Sequence, residues 1–163
     1  MAPSLESDKA LVLSAERGDL AGVQTALDQG ADINAADPNG STGLYFAAAN
    51  GHPAVIDFLL EKGADVHCVN NFGETVLFPA ILRGYTAILQ RFLAEGADPN
   101  AKDKKDRPVL LLAVVADQTA AAEALLKAGA DPVSIQGRSV LKFATSLGKT
   151  EIVELLRRHN ATA

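Results

Sequence analysis

The chain has 163 residues, of which 48% are hydrophobic, 5% aromatic and 21% charged, and its formal net charge is −5. This length and apolar content predict one soluble globular protein, and the acidic balance disfavours nucleic-acid binding, which needs a concentrated basic surface. The single cysteine, Cys68, excludes an intramolecular disulfide and fits a reducing compartment.

The apolar runs predict neither membrane insertion nor classical secretion. The first ten residues lack a basic start followed by a long apolar region. The longest apolar run, residues 108–116, is far shorter than the roughly 20 residues that a membrane-spanning helix needs. We therefore expect a cytoplasmic protein without membrane contacts, although export by a signal that is not hydrophobic stays open.

One period organises the sequence. Gly-Ala-Asp occurs at Gly30, Gly63, Gly96 and Gly129, each copy 33 residues after the last. A fixed period of this length is typical of stacked repeats. In chain order, the predicted repeats cover roughly residues 4–36, 37–69, 70–102, 103–133 and 134–163.

The second repeat shows the predicted elements most clearly. Thr42 is placed to cap a short first helix that ends at Gly51. A second helix over residues 54–62 has one apolar stripe, and Gly63 ends it. Residues 65–73 are left as a long turn rich in Asn and Gly. Each repeat is therefore predicted to be helix, turn, helix and long turn.

The third and fourth repeats depart from this pattern. Pro79 falls inside the predicted first helix of the third repeat, where proline removes a hydrogen-bond donor. In the fourth, Asp106, Pro108 and Asp117 stand where the pattern has Gly, Thr and Gly. We expect locally irregular geometry at these positions.

The terminal repeats carry charge where the inner ones are apolar. Asp8, Lys9 and Glu16 surround the first predicted helix, and Arg157 stands where the second repeat has Leu60. A stack of repeats needs polar outer faces at its ends. The first and last repeats are therefore expected to act as caps of a complete array.

These residues resemble the ankyrin repeat family. The stretch "DPNGSTGLYFAAANGHPAVIDFLLEKGAD", residues 37–65, follows the family pattern, with Gly43 in place of its proline and Tyr45 in place of its histidine. The resemblance implies an all-α fold: an ankyrin repeat solenoid of helix-turn-helix units joined by long hairpin-like turns. Residues 1–163 would form one domain of five repeats.

The resemblance also implies a function, because ankyrin repeats bind partner proteins on a concave face made of turn tips and first helices. The protein would then be a non-catalytic adaptor, inhibitor or scaffold, most simply a monomer. The positions carried over to this face are Asn39, Asn71, Phe72, Leu82, Arg83, Lys104, Lys105, Arg107, Val115, Arg138 and Leu147.

Repeats three to five suggest what the partner looks like. Phe72, Leu82, Val115, Ala116 and Leu147 would form an apolar strip, flanked by the lysines and arginines of the fourth and fifth turns, with Lys142 as a further candidate. An apolar patch with a polar rim is typical of an interaction site. The hypothesis is an acidic segment carrying one or two large apolar side chains.

Two simpler interpretations stay open for these residues. The run "KDKKDR", residues 102–107, also contains two aspartates and could be only a solvated turn. Val115, Ala116 and Leu147 could pack against neighbouring repeats. For the whole protein, self-association and a bacterial effector role are alternatives to a binding module.

Nothing in the sequence predicts chemistry. His52 stands where the family commonly has a structural histidine, and the adjacent His67 and Cys68 are too few for a zinc site. Phosphate-binding and dinucleotide-binding glycine motifs and a nucleophile elbow are missing. We expect no catalytic residues, no cofactor and no metal.

Overall fold

The computed structural model describes residues 5–132 and 139–159, and within these ranges the backbone forms ten α-helices. The helices are α1 (Leu5–Arg17), α2 (Leu20–Asp28), α3 (Gly43–Asn50), α4 (Pro53–Glu61), α5 (Leu77–Leu82), α6 (Thr86–Ala94), α7 (Val109–Val115), α8 (Thr119–Lys127), α9 (Val140–Ser146) and α10 (Thr150–Arg158). They follow one another as five pairs, each pair a first and a second helix. The predicted all-α repeat fold is confirmed.

The Gly-Ala-Asp motif ends the second helix of a repeat. At Gly63 the backbone is left-handed, with φ of 90°, a conformation that costs glycine nothing. The Gly63 N–H donates to the Leu60 carbonyl, and the Ala64 N–H donates to the Leu59 carbonyl. These two bonds satisfy carbonyls that the end of a helix leaves unpaired. The same pair of bonds recurs at Gly30, Gly96 and Gly129.

The aspartate of the motif ties neighbouring segments together. In three of the four copies, its backbone N–H donates to a side chain from an earlier part of the chain. The described bonds run from Asp32 to Asp8 Oδ1 (2.8 Å), from Asp65 to Asn34 Oδ1 (2.9 Å) and from Asp131 to Asn100 Oδ1 (2.7 Å).

The second repeat folds as predicted. Thr42 caps α3, and its hydroxyl accepts the Tyr45 N–H at 3.3 Å. Gly51 ends the helix in the left-handed conformation, with φ of 71°. An isolated antiparallel bridge joins Ala36 to Thr42, and a second one joins Lys102 to Pro108. The long turns at these two places are therefore hairpin-like.

Pro79 shortens the first helix of its repeat but does not break it. The helix α5 has six residues, against eight in α3, and it begins two residues after Thr75. Pro79 is the third residue of α5, so its missing N–H falls in the first turn, where helices leave N–H groups unpaired in any case. The expected irregularity is present, and it takes this mild form.

The fourth repeat has the same backbone conformation as its neighbours at two turn positions, although aspartate replaces glycine there. Asp106 and Asp117 adopt φ of 58° and 57°, close to the values of the glycines at the equivalent positions of other repeats. Aspartate tolerates this region better than most non-glycine residues. The substitutions therefore leave the turns in register.

Two compact units divide the chain, and α5 contains the boundary between them. In the N-terminal unit (Met1–Pro79), α1 packs on α2 and α3, and α3 packs on α4. Its core includes fully buried Leu11, Leu44 and Leu59. These side chains come from three different helices, α1, α3 and α4, as expected where repeats bury their apolar faces by stacking.

The C-terminal unit (Ala80–Ala163) has the same construction. Each first helix packs on its own second helix in α7–α8 and α9–α10, and the second helices α6, α8 and α10 pack side by side. Phe92, Leu110, Leu125 and Leu156 are fully buried in it. The first helices α7 and α9 also contact each other, and their remaining faces are open to solvent.

Candidate functional site

Three described turns are built around one side chain each. In the second repeat, Asp37 Oδ1 accepts the N–H groups of Asn39 and Ser41 at 2.9 and 2.8 Å. Asn70 and Asp103 follow at intervals of 33 residues and make the same two bonds, Asn70 to Phe72 and Glu74, and Asp103 to Lys105 and Arg107. Such bonds fix the backbone of a turn before any ligand arrives.

The sequence prediction missed this role. Its signal was the recurrence of Asp or Asn three residues before the turn glycine (or before Asp106). The predicted residues at the tips of these three turns therefore lie on a pre-formed backbone.

The tips of the second and third repeats are joined to each other. The Asn71 N–H donates to the Asn39 carbonyl at 2.7 Å, and the Asn71 side chain donates to the Pro38 carbonyl at 3.1 Å. These two predicted site residues therefore also have a structural role. Phe72, in contrast, is 57% exposed at the tip of its turn.

A polar cluster supports these two tips from below. The Tyr45 hydroxyl donates to Glu74 Oε2 at 2.8 Å, and the Asn70 amide donates to the same oxygen at 3.3 Å and to Ser41 Oγ at 3.4 Å. Burial and the adjacent Glu74 carboxylate raise the pKa of Tyr45 well above its usual range. The phenol is therefore a fixed donor at neutral pH.

The basic turn of the fourth repeat is largely neutralised within itself. Arg107 donates to Asp103 Oδ2 from Nε (2.6 Å) and Nη2 (2.5 Å), and Lys102 pairs with Asp106 at 3.0 Å. Burial opposes ionisation of Asp103, but the hydrogen bonds from Arg107 and from two backbone N–H groups lower its pKa on balance. Two of the cations in "KDKKDR" are thus occupied by its two aspartates.

In this turn, the ammonium group of Lys104 faces solvent. It is exposed and forms no ion pair with any residue that the structure describes. Lys105 is also exposed, and its backbone N–H is bound to Asp103. Arg138, the other predicted cation, lies outside the described residues.

The predicted apolar positions of the C-terminal unit are exposed. The exposed fractions are 55% for Leu82, 53% for Val115 and 44% for Leu147. The alternative that Val115 and Leu147 pack into neighbouring repeats is therefore wrong. Ala116 is only half-buried.

The structure adds one residue to this surface. Phe143, on α9, is 38% exposed, and Leu111 and Leu112 on α7 are half-buried. The sequence prediction missed Phe143 because apolar residues inside a short helix are normally assigned to the core. From here on, we use the name apolar strip for Leu82, Val115, Phe143 and Leu147, the exposed residues of the C-terminal unit; Phe72 belongs to the N-terminal unit.

The charged groups of the same helices are mostly cationic. Arg83, after the end of α5, and Lys142, on α9, are exposed and pair with no acid among the described residues. Asp117, which follows α7, is held by Lys149 at 3.0 Å. The uncompensated charge beside the apolar strip is therefore positive.

The residues considered for chemistry have ordinary surroundings. His52 Nε2 lies 2.9 Å from the Glu16 carbonyl oxygen, a contact between α1 and the N-terminus of α4. Burial and the nearby Asp65 raise the pKa of the Cys68 thiol, which makes it a poorer nucleophile at neutral pH. Over residues 5–132 and 139–159, no three His, Cys, Asp or Glu side chains are grouped to hold a metal ion.

Among the helices of residues 5–132 and 139–159, none has both the length and the apolar character needed to cross a bilayer.

Comparison with known families agrees with the repeat architecture. The family model described as ankyrin repeats (3 copies) matches residues 11–103 and 77–163. A comparison with curated proteins finds no match to the chain. Because the two family matches together extend from residue 11 to residue 163, the chain belongs to the ankyrin repeat family.

Proposed function

We propose that the protein is a non-catalytic binding module, acting as an adaptor, inhibitor or scaffold, that holds a partner protein on its turn tips and first helices. Ankyrin repeats generally mediate protein–protein interaction, and the family is typically non-enzymatic. The helices and turns that carry the proposed surface are already ordered by their own hydrogen bonds. Binding then costs little conformational entropy.

The observation that carries this proposal is the apolar strip of the C-terminal unit. The side chains of Val115, Phe143 and Leu147 are only about half buried in the protein, and burying the remaining half of one of them stabilises a complex by roughly 1 kcal/mol. Exposed apolar patches with polar surroundings are typical of interaction sites. A partner segment with one or two large apolar side chains would cover this strip.

The charges around the strip favour an acidic partner segment. Arg83, Lys104 and Lys142 are exposed cations without an ion pair to a described residue. Arg107 is occupied by Asp103, so it contributes to the turn more than to the partner. Charge complementarity of this kind raises the association rate more than the affinity.

Affinity capture from a lysate of the source organism tests the proposal. The baits are the wild type, the double variant Val115→Ser with Leu147→Ser, and Val69→Ser as the control. Val69 is 58% exposed but belongs to the N-terminal unit. We expect a partner that the wild type and the control retain and that the double variant loses; equal retention by all three would contradict the proposal.

Self-association is tested on the same samples. Sedimentation of the wild type and the double variant across a hundredfold concentration range measures the oligomeric state. A concentration-dependent dimer that the double variant abolishes would replace the foreign partner with a second copy of the chain. We expect both samples to stay monomeric.

A further inference from the structure

The first helix is longer than the other first helices that the structure describes, and this creates a groove. The helix α1 has 13 residues, whereas α3, α5, α7 and α9 have six to eight. Its extra N-terminal turns run beside the first long turn, and Asp8 Oδ1 on α1 accepts the Asp32 N–H at 2.8 Å. This bond fixes the spacing between the two walls.

The floor and one wall of this N-terminal groove are apolar. Its volume is about 480 Å³, within the range of roughly 300–1,000 Å³ usual for ligand sites. Val12 and Ala35 are buried below, and Leu5 and Leu13 stand 70% and 47% exposed on α1. Pro38 also lines the groove. A terminal repeat would need only a polar outer face here, so the two exposed leucines are left unexplained by capping.

The rim of the groove is acidic. Asp8, Asp32 and Asp37 line it, and Lys9 is the only cation among the lining residues that the structure describes. The carboxylates accept hydrogen bonds from backbone N–H groups, but none of them forms an ion pair with a described residue. With three carboxylates against one ammonium group, the rim carries a net charge of −2 at neutral pH.

We propose that the N-terminal groove binds a short basic-apolar segment of a partner protein, with one or two large aliphatic or aromatic side chains flanked by Lys or Arg. The apolar side chains would cover Leu5 and Leu13, and the flanking cations would reach Asp32 and Asp37. This site shares no residue with the apolar strip, and it prefers the opposite charge. The proposal for this groove can therefore be tested independently of the function proposed above.

Two synthetic hexapeptides test the charge preference directly. One is acetyl-Arg-Lys-Leu-Phe-Lys-Arg-amide, and its matched control has Glu at the four basic positions. Each is titrated into the ¹⁵N-labelled full chain while backbone amide shifts are followed. We expect saturable shifts with the basic peptide at residues 5–13 and 32–38, weakening as salt rises, and no saturable shifts with the acidic peptide.

Variants separate the apolar and charged contributions. Leu5→Ser with Leu13→Ser removes the apolar wall, and we expect at least a tenfold weaker binding of the basic peptide. Asp37→Asn removes one charge, and we expect binding about two- to fivefold weaker at low salt, as for an exposed ion pair. Asparagine already makes the same turn bonds at Asn70, so the turn should be unchanged.

Val69→Ser is the matched control for the leucine pair, because the exposed fraction of Val69, 58%, lies between those of Leu5 and Leu13, and Val69 does not line the groove. It should leave peptide binding unchanged. The proposal is overturned if the basic peptide produces no saturable shifts up to millimolar concentration, or if both peptides bind equally. It is also overturned if sedimentation shows a dimer that the leucine pair variant abolishes, since the occupant is then a second copy.

Discussion

Single side chains decide the shape of the long turns. Asp103 shows this most completely, because its nearly buried carboxylate accepts two backbone N–H groups and the Arg107 guanidinium. Hydrogen bonds to the charged form favour ionisation. The tip that presents Lys104 is therefore held by a group that must stay ionised and in place.

Removing the Asp103 carboxylate should weaken the fold. Asp103→Ala leaves two N–H groups without their acceptor, and we expect a loss of about 2 kcal/mol in the free energy of unfolding. Asp103→Asn keeps one oxygen, as Asn70 does, and should cost clearly less. Urea unfolding at pH 7 measures both, and equal losses would show that the charge, not the backbone bonds, holds the turn.

The pH dependence of Asp103 has a definite sign. Because the pKa is lower in the folded chain, the stabilisation is complete above the ordinary value of about 4 and is lost as the pH falls through the folded value. We expect the wild type to lose more stability than Asp103→Asn between pH 5 and pH 2. Urea unfolding at intervals of half a pH unit detects this difference. If the free energy of unfolding falls equally with pH in both chains, the lowered pKa of Asp103 is contradicted.

Tyr45 makes the opposite contribution on the alkaline side. Its pKa is raised, so its stabilisation is complete below the ordinary value of about 10 and declines as the pH rises above it. Tyr45→Phe should cost about 1–2 kcal/mol at pH 7, because the bond to the Glu74 carboxylate is lost. Above pH 10 the difference between the two chains should shrink.

Tyr85→Phe is the control for this comparison, since the Tyr85 hydroxyl has no hydrogen bond to a residue that the structure describes. Urea unfolding of the three chains at pH 7, 9 and 10.5 makes the measurement. If the difference in the free energy of unfolding between wild type and Tyr45→Phe stays constant to pH 10.5, the raised pKa of Tyr45 is contradicted.

At the scale of one helix, the residues that stabilise the fold and the residues proposed to bind a partner lie on different faces. Leu110 is 1% exposed on α7, whereas Val115 on the same helix is 53% exposed. Leu110→Ala should cost about 2–5 kcal/mol through the cavity that it leaves. Val115→Ser should stay within about 0.5 kcal/mol of the wild type.

Thermal unfolding followed by circular dichroism measures this contrast. A large drop in the unfolding temperature of Val115→Ser would mean that the Val115 side chain contributes to the core. The capture experiment with that variant would then have to be repeated with Leu147→Ser alone.

Helix boundaries were predictable because their signals are local. Thr42, Gly51 and Gly63 act at the places where the sequence put them, since a cap or a left-handed residue needs only its neighbours in the chain. The pairing within "KDKKDR" was also visible in principle, because Lys102–Asp106 and Asp103–Arg107 are both four residues apart. The prediction counted the charges without pairing them.

The candidate surfaces were harder to predict. A first helix of seven residues is too short for periodicity to separate a core face from an exposed one, so Phe143 was missed. The N-terminal groove depends on where α1 begins, and boundaries are the least certain part of a sequence prediction. The charged residues of the first repeat predict a polar cap, but nothing in the sequence distinguishes the exposed Leu5 and Leu13 from the buried Leu11 of the same helix.

At the scale of the whole molecule, five helix pairs fall into two compact units, each with its own core and its own exposed surface. Repeats of this kind gain stability from their neighbours, so substitutions on an exposed first helix should act locally. The C-terminal unit offers an apolar strip with cations, and the N-terminal unit offers an apolar groove with carboxylates. We therefore expect partner segments of opposite charge at the two surfaces.

Hydrogen exchange of the protein with and without its captured partner tests the central claim most directly, because it locates the partner on the chain. We predict slower exchange at residues 109–115 and 140–146, the first helices α7 and α9 of the C-terminal unit, when the partner is bound. The second helices, α8 and α10, provide the internal comparison and should change little. Protection confined to residues 119–127 and 150–158, with the first helices unchanged, would contradict the account.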